Sequence, residues 1–262
     1  MPLRTARPII TEPMQEGSTM RILTVNVNTT ETMTAGIADA ARRVAAPGTE
    51  IIGLTPRYGA ESCEGNVESY LAAVAVMDAV RNYDGEYDAV IQAGYGEHGR
   101  EGLQELLDVP VVDITDAAAS TAMFLGRSYS VVTTLDRAVP LIEDRLIASG
   151  LFDRCASVRS SGLGVLELES DPDRAVEAIV AEAKKAVFED RAEVIVLGCG
   201  GMAELEPRVR EQCGVPVVDG VQAAVKIAES LVAQGLFTSK VRTYAPPRPK
   251  RVTWAPAVEP AP

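Results

Sequence analysis

Short apolar runs alternate with longer stretches whose apolar positions recur every three or four residues. The runs are Ile22–Val27, Glu50–Leu54, Ala89–Ala93 and Val109–Ile114, followed by Ser130–Thr133, Ala156–Val158, Glu193–Leu197 and Val215–Val218. They are rich in Val and Ile and three to six residues long, which predicts strands buried on both faces. Helical periodicity predicts helices over Thr32–Ala45, Val67–Val80, Arg100–Leu107, Val139–Ser149, Asp173–Phe188 and Glu204–Cys213. Strand–helix alternation of this kind predicts an α/β protein with parallel sheets and helices on both faces.

The two sets of runs resemble each other. YDAVIQAGYGEHGREGLQELLDVPVVDITDAA, from Tyr87, lines up with AEVIVLGCGGMAELEPRVREQCGVPVVDGVQAA, from Ala192. Each reads strand, glycine-rich turn, helix, VPVVD and a further helix. RILTVNVN at Arg21 answers to YSVVTTLD at Tyr129 at nearly the same spacing. The chain therefore reads as a duplication: two similar lobes, each with four strands of a parallel sheet. Residues 20–115 plus 220–243 form lobe 1 and residues 116–219 form lobe 2. Residues 1–19 are expected to be a disordered extension and 244–262 a proline-rich arm. Ligands of open α/β sheets bind beyond the carboxyl ends of the strands, so two facing lobes place those ends on opposite sides of one cleft.

Charge and cysteine content narrow the partners. The 262 residues carry a formal charge of −12, which argues against nucleic acid and against anionic membrane. Aromatic residues are 5%, too few for a base-stacking surface. The four cysteines form no CxxC pair and there is one histidine, so no metal site is expected. The start of the chain has no apolar stretch of secretory type, and no apolar run is long enough to span a bilayer. A cytoplasmic protein acting on a small molecule is the expectation.

Four strand ends carry the candidate chemistry. Cys199, between Gly198 and Gly200-Gly201, follows an apolar run and precedes a helix. Main-chain N–H groups and the helix dipole there favour a thiolate, and the glycines let amides approach a substrate oxyanion. A small buried cysteine at a tight turn is the plain alternative. Cys63, Cys155 and Cys213 have no such setting and are read as packing residues. The equivalent turn of the first half is Gly94-Tyr95-Gly96-Glu97-His98-Gly99. His98 there is a candidate acid or base, or else a solvated or capping residue. Asn26 and Asn28, after the first strand, either cap the next helix or bind substrate. Thr133 and Thr134 hold the corresponding position in the second half, with the same two readings. Tyr95 and Met202 either contact the substrate or pack.

These segments together resemble the Asp/Glu/hydantoin racemase superfamily, and within it the hydantoin and allantoin racemases. The likeness covers roughly Met20 to Lys250 and rests on RILTVNVNTT, DAVIQAGYGEHG, YSVVTTLDR, VIVLGCGGM and TSKVRTYAPPRPKR. It implies two Rossmann-like lobes related by a pseudo-twofold axis, and a cofactor-independent isomerase, with no metal, that moves the α-proton of a small cyclic amide between two cysteines, one per lobe. Cys199 matches the second-lobe cysteine. The family motif A-C-F-G-D-P-G is here Ala93-Gly94-Tyr95-Gly96-Glu97-His98-Gly99, so Gly94 stands where the first thiol belongs. Three readings stay open. His98, Glu97 or a water replaces the thiol; or the protein is a single-cysteine decarboxylase resembling arylmalonate decarboxylase; or it binds a small ligand without turnover. Tyr95-Gly96 departs from the Thr-Ser that follows the glycine in that decarboxylase. Gly94→Cys is expected to restore the missing thiol. The resemblance and the proline-rich arm also imply a homo-oligomer.

Overall fold

The computed structural model describes residues 19–251, so the expectations for most of the amino-terminal extension and for the end of the arm lie outside the described residues. The first half runs β1 (Met20–Val25), α1 (Glu31–Val44), β2 (Thr49–Leu54), α2 (Asn66–Arg81), β3 (Ala89–Gln92), α3 (Arg100–Leu106), β4 (Val111–Asp113) and α4 (Ile114–Ala122). The second runs β5 (Tyr129–Thr133), α5 (Val139–Ala148), β6 (Cys155–Ser160), α6 (Glu167–Ser170), α7 (Pro172–Phe188), β7 (Val194–Leu197), α8 (Glu206–Cys213), β8 (Val217–Asp219) and α9 (Gly220–Ala233). Residues 245–251 carry no helix or strand.

The strands form two four-stranded sheets, ordered β2-β1-β3-β4 and β6-β5-β7-β8. Every pairing is parallel. The sheets thus repeat one topology, and the repeated VPVVD explains part of it. In each copy the apolar residues form the last strand. Its terminal aspartate, Asp113 or Asp219, then turns the chain into a helix by accepting hydrogen bonds from that helix's first amides.

Helices α4 and α9 exchange sides. Helix α9 packs on β3, β4 and α1 of the first sheet, while α4 packs on β7 and β8 of the second, and the two helices lie against each other. The buried cluster around them is continuous, joining Ile22, Ile91 and Val112 of one sheet to Tyr129, Val131 and Val196 of the other. Each sheet has a further apolar cluster on its outer face, built with α2 and α3 in the first half and with α7 and α8 in the second. The halves therefore share their inner core, which fixes how their strand ends face each other.

Candidate active site

The carboxyl ends of β1, β3, β5 and β7 open into one cavity of about 610 Å³, counted with its mouth. It is lined by Asn26 and Asn28, by the turn Gly94–His98, by Thr133 and Thr134, and by Gly198–Gly201. Of the residues selected from the sequence, all but Met202 are thus brought together. The turn of each half abuts the other. A Cβ on Gly200 would lie 2.5 Å from the Ala93 carbonyl oxygen, so only glycine permits the Cys199 turn to rest against the end of β3.

Cys199 is half-buried in the cavity wall. The chain after it makes a 3-10 turn, Gly200–Met202, before α8 begins at Glu206, instead of entering an α-helix directly. The amides of Gly201 and Met202 hydrogen-bond the sulfur and favour its anion. Burial opposes them and wins, with the charges of Glu64 and Asp219 adding to it, and the thiol is pushed up to about 11. The expectation of a thiolate at neutral pH is therefore corrected: in the open cleft Cys199 holds its proton.

The first-half turn has the opposite outcome. Glu97 lines the cavity and its Oε1 accepts the Gly99 N–H at 2.8 Å. Burial and the neighbouring Glu101 carboxyl raise it to about 7, against the Gly99 amide and the Arg145 charge, which lower it. His98, expected to titrate in the useful range, is buried and pushed down to about 4, so it is neutral at physiological pH. Its Nε2 lies 3.3 Å from the Tyr95 carbonyl oxygen, and Nδ1 is buried with no partner among the described residues.

Gly94 is more than an absent thiol. A Cβ there would meet His98 Cδ2 and Val27 Cγ1 at 2.4 Å and Gln92 Nε2 at 2.7 Å. The imidazole fills the space a cysteine side chain would need, so Gly94→Cys alone cannot simply restore a second thiol.

Several polar groups expected to meet substrate are engaged internally. Asn26 Nδ2 donates to Asn28 Oδ1 at 2.8 Å and to Thr34 Oγ1 at 3.0 Å, while its Oδ1 accepts from the amides of Val27 and Asn28. It shapes the β1–α1 loop. The Gly96 N–H donates to Thr115 Oγ1 at 2.8 Å, and Thr133 Oγ1 donates to the Gly198 carbonyl at 3.0 Å. The Tyr95 ring lies in the shared core with its hydroxyl buried and unpartnered. Asn28 is held less firmly: its Oδ1 accepts from Asn26 and Thr30, but its Nδ2 faces only the weakly accepting Met33 sulfur at 3.1 Å. Met202 is fully buried and packs.

Sequence reasoning missed Cys63. The β2–α2 loop carries it into the same cavity, where its Sγ donates to the Val27 carbonyl at 3.2 Å. Burial first, then the charges of Glu68, Cys199 and Glu64, push this thiol up to about 12. The loop follows a strand end of the first sheet, which was the available signal. The cavity mouth is narrowed by contacts between halves that no pattern announced. Glu64 Oε1 accepts the Val165 N–H at 2.8 Å, and the Arg137 guanidinium lies over Gly65. Among the described residues no group of three or more His, Cys, Asp or Glu side chains is placed to hold a metal ion. No helix of the described residues is long and apolar enough to cross a membrane.

Two sheets of one topology thus open on a single cavity, with a thiol on one turn and a carboxyl on the other. The Asp/Glu/Hydantoin racemase family profile matches residues 22–228, so the chain belongs to that family and is an isomerase of the racemase type. A hydantoin racemase from Pseudomonas sp. (strain NS671) is 39% identical over 237 residues, covering 90% of this chain and 95% of that one. The crystal structure of allantoin racemase from Pseudomonas fluorescens superposes with a TM-score of 0.88 at 72% identity, over 90% of this chain and all of that one. Allantoin racemase from Klebsiella pneumoniae gives a TM-score of 0.86 at 40% identity, over 90% and 97%.

Proposed function

We propose that the protein racemises a 5-substituted hydantoin of the allantoin type by passing the α-proton between Glu97 and Cys199. The observation that carries this reading is the pairing of the two groups. They line one cavity and sit on equivalent turns of the two halves, and at neutral pH Cys199 holds its proton while Glu97, raised to about 7, is poised to take one. The likeness to proteins described as allantoin and hydantoin racemases supports the substrate class.

In one direction the Glu97 carboxylate removes the α-proton from one face of the ring carbon. The electron pair delocalises into the adjacent ring carbonyl, giving an enolate. The Cys199 thiol then delivers its proton to the opposite face, leaving Glu97 protonated and Cys199 as thiolate. The other enantiomer runs the same steps backwards from that state. A hydantoin α-proton is already fairly acidic, because the carbonyl takes up the charge, so a carboxylate suffices where the family pattern has a thiolate. The raised position of Glu97 brings its basicity closer to that of the carbon acid. Asn28 Nδ2 and the Thr134 hydroxyl are the side-chain groups of the wall assigned to hold the ring. No cofactor enters this scheme.

The test is proton exchange in D2O, with each enantiomer of allantoin and of a 5-substituted hydantoin followed by NMR and polarimetry. Exchange with loss of rotation is expected for the native protein, and a loss of about 10²-fold or more for Glu97→Gln and for Cys199→Ser. Exchange with retained rotation would mean a single base on one face. No exchange with either ring would remove the substrate assignment.

A further inference from the structure

The charges behind Glu97 are arranged across the two halves. Arg145 projects from α5 of the second half and is almost wholly buried, with 4% of its side chain exposed. Its guanidinium reaches four carboxyls of the first half. Nη1 donates to Glu101 Oε1 at 2.9 Å and stands 3.5 Å from Glu97 Oε2. Nη2 donates to Asp113 Oδ2 at 2.5 Å and to Asp116 Oδ2 at 3.0 Å. Arg100, at the start of α3, donates to Glu101 Oε1 from Nη2 at 2.6 Å and from Nε at 3.1 Å, and also contacts Asp116 and Asp113. The Glu97 and Glu101 carboxyls are neighbours, both facing Arg145 Nη1.

The cluster thus sets two guanidiniums against four carboxyls. If all were ionised it would carry two uncompensated negative charges in partly buried surroundings, where charges interact more strongly than in water. A proton added to the cluster goes to the carboxyl with the least cationic contact. Glu101 has both guanidiniums at bonding distance, and Asp113 and Asp116 have Arg145 and Arg100. Glu97 has one guanidinium nitrogen, at 3.5 Å, and a second carboxyl beside it. His98, in the same turn, is neutral and contributes no charge.

Resting on the assignment of Glu97 as a proton carrier, we propose that Glu101 is its positioning residue, and that Glu101, clamped by Arg145 and Arg100, makes Glu97 the site where the cluster keeps its proton. Glu101 is not among the residues that line the cavity. It acts by repulsion and by drawing the cations away from Glu97. The direction of the shifts agrees for this pair, with Glu97 raised to about 7 and Glu101 lowered to about 2, while Asp113 is raised as well, by its own burial and the Asp116 charge against the two guanidiniums. The arrangement places the second half's Arg145 in control of the first half's acid–base group, which ties proton transfer to the correct docking of the two halves.

The experiment is the pH dependence of kcat/KM for α-proton exchange, together with an NMR titration of 13C-labelled glutamate carboxyls. The native enzyme is expected to gain activity as pH rises through about 7, as Glu97 ionises. In Glu101→Gln the repulsion is gone and Arg145 is free to favour the Glu97 anion. The rising limb is expected to move at least about one pH unit lower, so that activity at pH 6 relative to pH 8 rises several-fold. Glu101→Asp, which keeps the charge, is expected to bring the limb most of the way back. The Glu101 side chain is 41% exposed, so the substitutions are expected to leave the fold intact, checked by circular dichroism. A limb unmoved in Glu101→Gln, while Glu97→Gln is inactive, would overturn this inference alone. Full exchange in Glu97→Gln would overturn the assignment beneath it.

Discussion

Cys199 shows how two local effects of opposite sign are decided by burial. Two amides hydrogen-bond its sulfur, yet the low-dielectric wall outweighs them and the thiol stays protonated up to about pH 11. A consequence is measurable without substrate. Alkylation of Cys199 at pH 7.5 is expected to be no faster than that of a free thiol, and to climb steadily above pH 9. Fast labelling that is flat with pH would mean that the amides prevail. Cys63, on the same wall and pushed higher still, is expected to label more slowly than Cys199. The sequence marked Cys199 because a thiol between glycines after an apolar run has few other uses. It could not rank Glu97 above His98. That choice depends on which of two adjacent side chains is enclosed, and His98 turns out to be the enclosed one. Cys63 went unread because its place depends on where a long loop lands.

At the scale of elements, the turn from Gly94 to Gly99 works as one unit. The imidazole of His98 occupies the space next to a bare α-carbon, and the two residues fit only as a pair. Gly94→Cys by itself is therefore expected to lower stability by roughly 1–3 kcal/mol through overpacking and to give no gain in racemisation. The double change Gly94→Cys with His98→Pro, which vacates that space, is expected to recover stability relative to the single variant in a urea titration. If the single variant is as stable as the native protein, the crowding argument is wrong. The twin caps Asp113 and Asp219 make a second contrast. Burial raises both, but Asp113 meets two arginines that oppose it, whereas Asp219 has Glu206 beside it and is raised to about 7. A carboxyl whose pKa is higher folded than unfolded adds stability below its unfolded value, and that contribution is lost as pH rises through about 7. Asp219→Asn keeps a capping oxygen for the Gln222 N–H and removes the charge. It is expected to stabilise by on the order of 1–3 kcal/mol at pH 8.5 and by little at pH 5, read from thermal melts at both. The strands themselves were legible to within a residue or two, since β-branched runs of that length have one common outcome. The helix after Cys199, expected from Glu204, begins at Glu206, but the 3-10 turn over Gly200–Met202 that precedes it was not legible.

For the molecule as a whole, the duplication was visible in the chain, and the lobe bounds drawn from it gave residues 220–243 to lobe 1 and 116–219 to lobe 2, but periodicity alone does not place α4 and α9. Local periodicity records that a helix has an apolar face and does not say which sheet receives it. The exchange has a thermodynamic consequence. Two lobes with separate cores would unfold in two steps, the weaker first. Here Ile22, fully buried on β1, belongs to the same cluster as Tyr129 and Val194 of the other sheet, and α9 closes the first sheet while following the last strand of the second. Neither half can lose its inner face without exposing the other's. The described fold is therefore expected to unfold in one cooperative transition, with far-ultraviolet and tyrosine near-ultraviolet signals coinciding in urea. Ile22→Ala sharpens the test. It removes buried methyl groups at a cost of about 2–5 kcal/mol. If the core is common property, amide protection falls by a similar factor in β5 and β7 as in β1 and β3, because the only route to exchange is global opening. If the loss of protection stays within the first sheet, the halves open independently. The alignment of Glu97 with Cys199 would then have to be maintained by the contacts at the cavity mouth, Glu64 with Val165 and Arg137 over Gly65, instead of by the core.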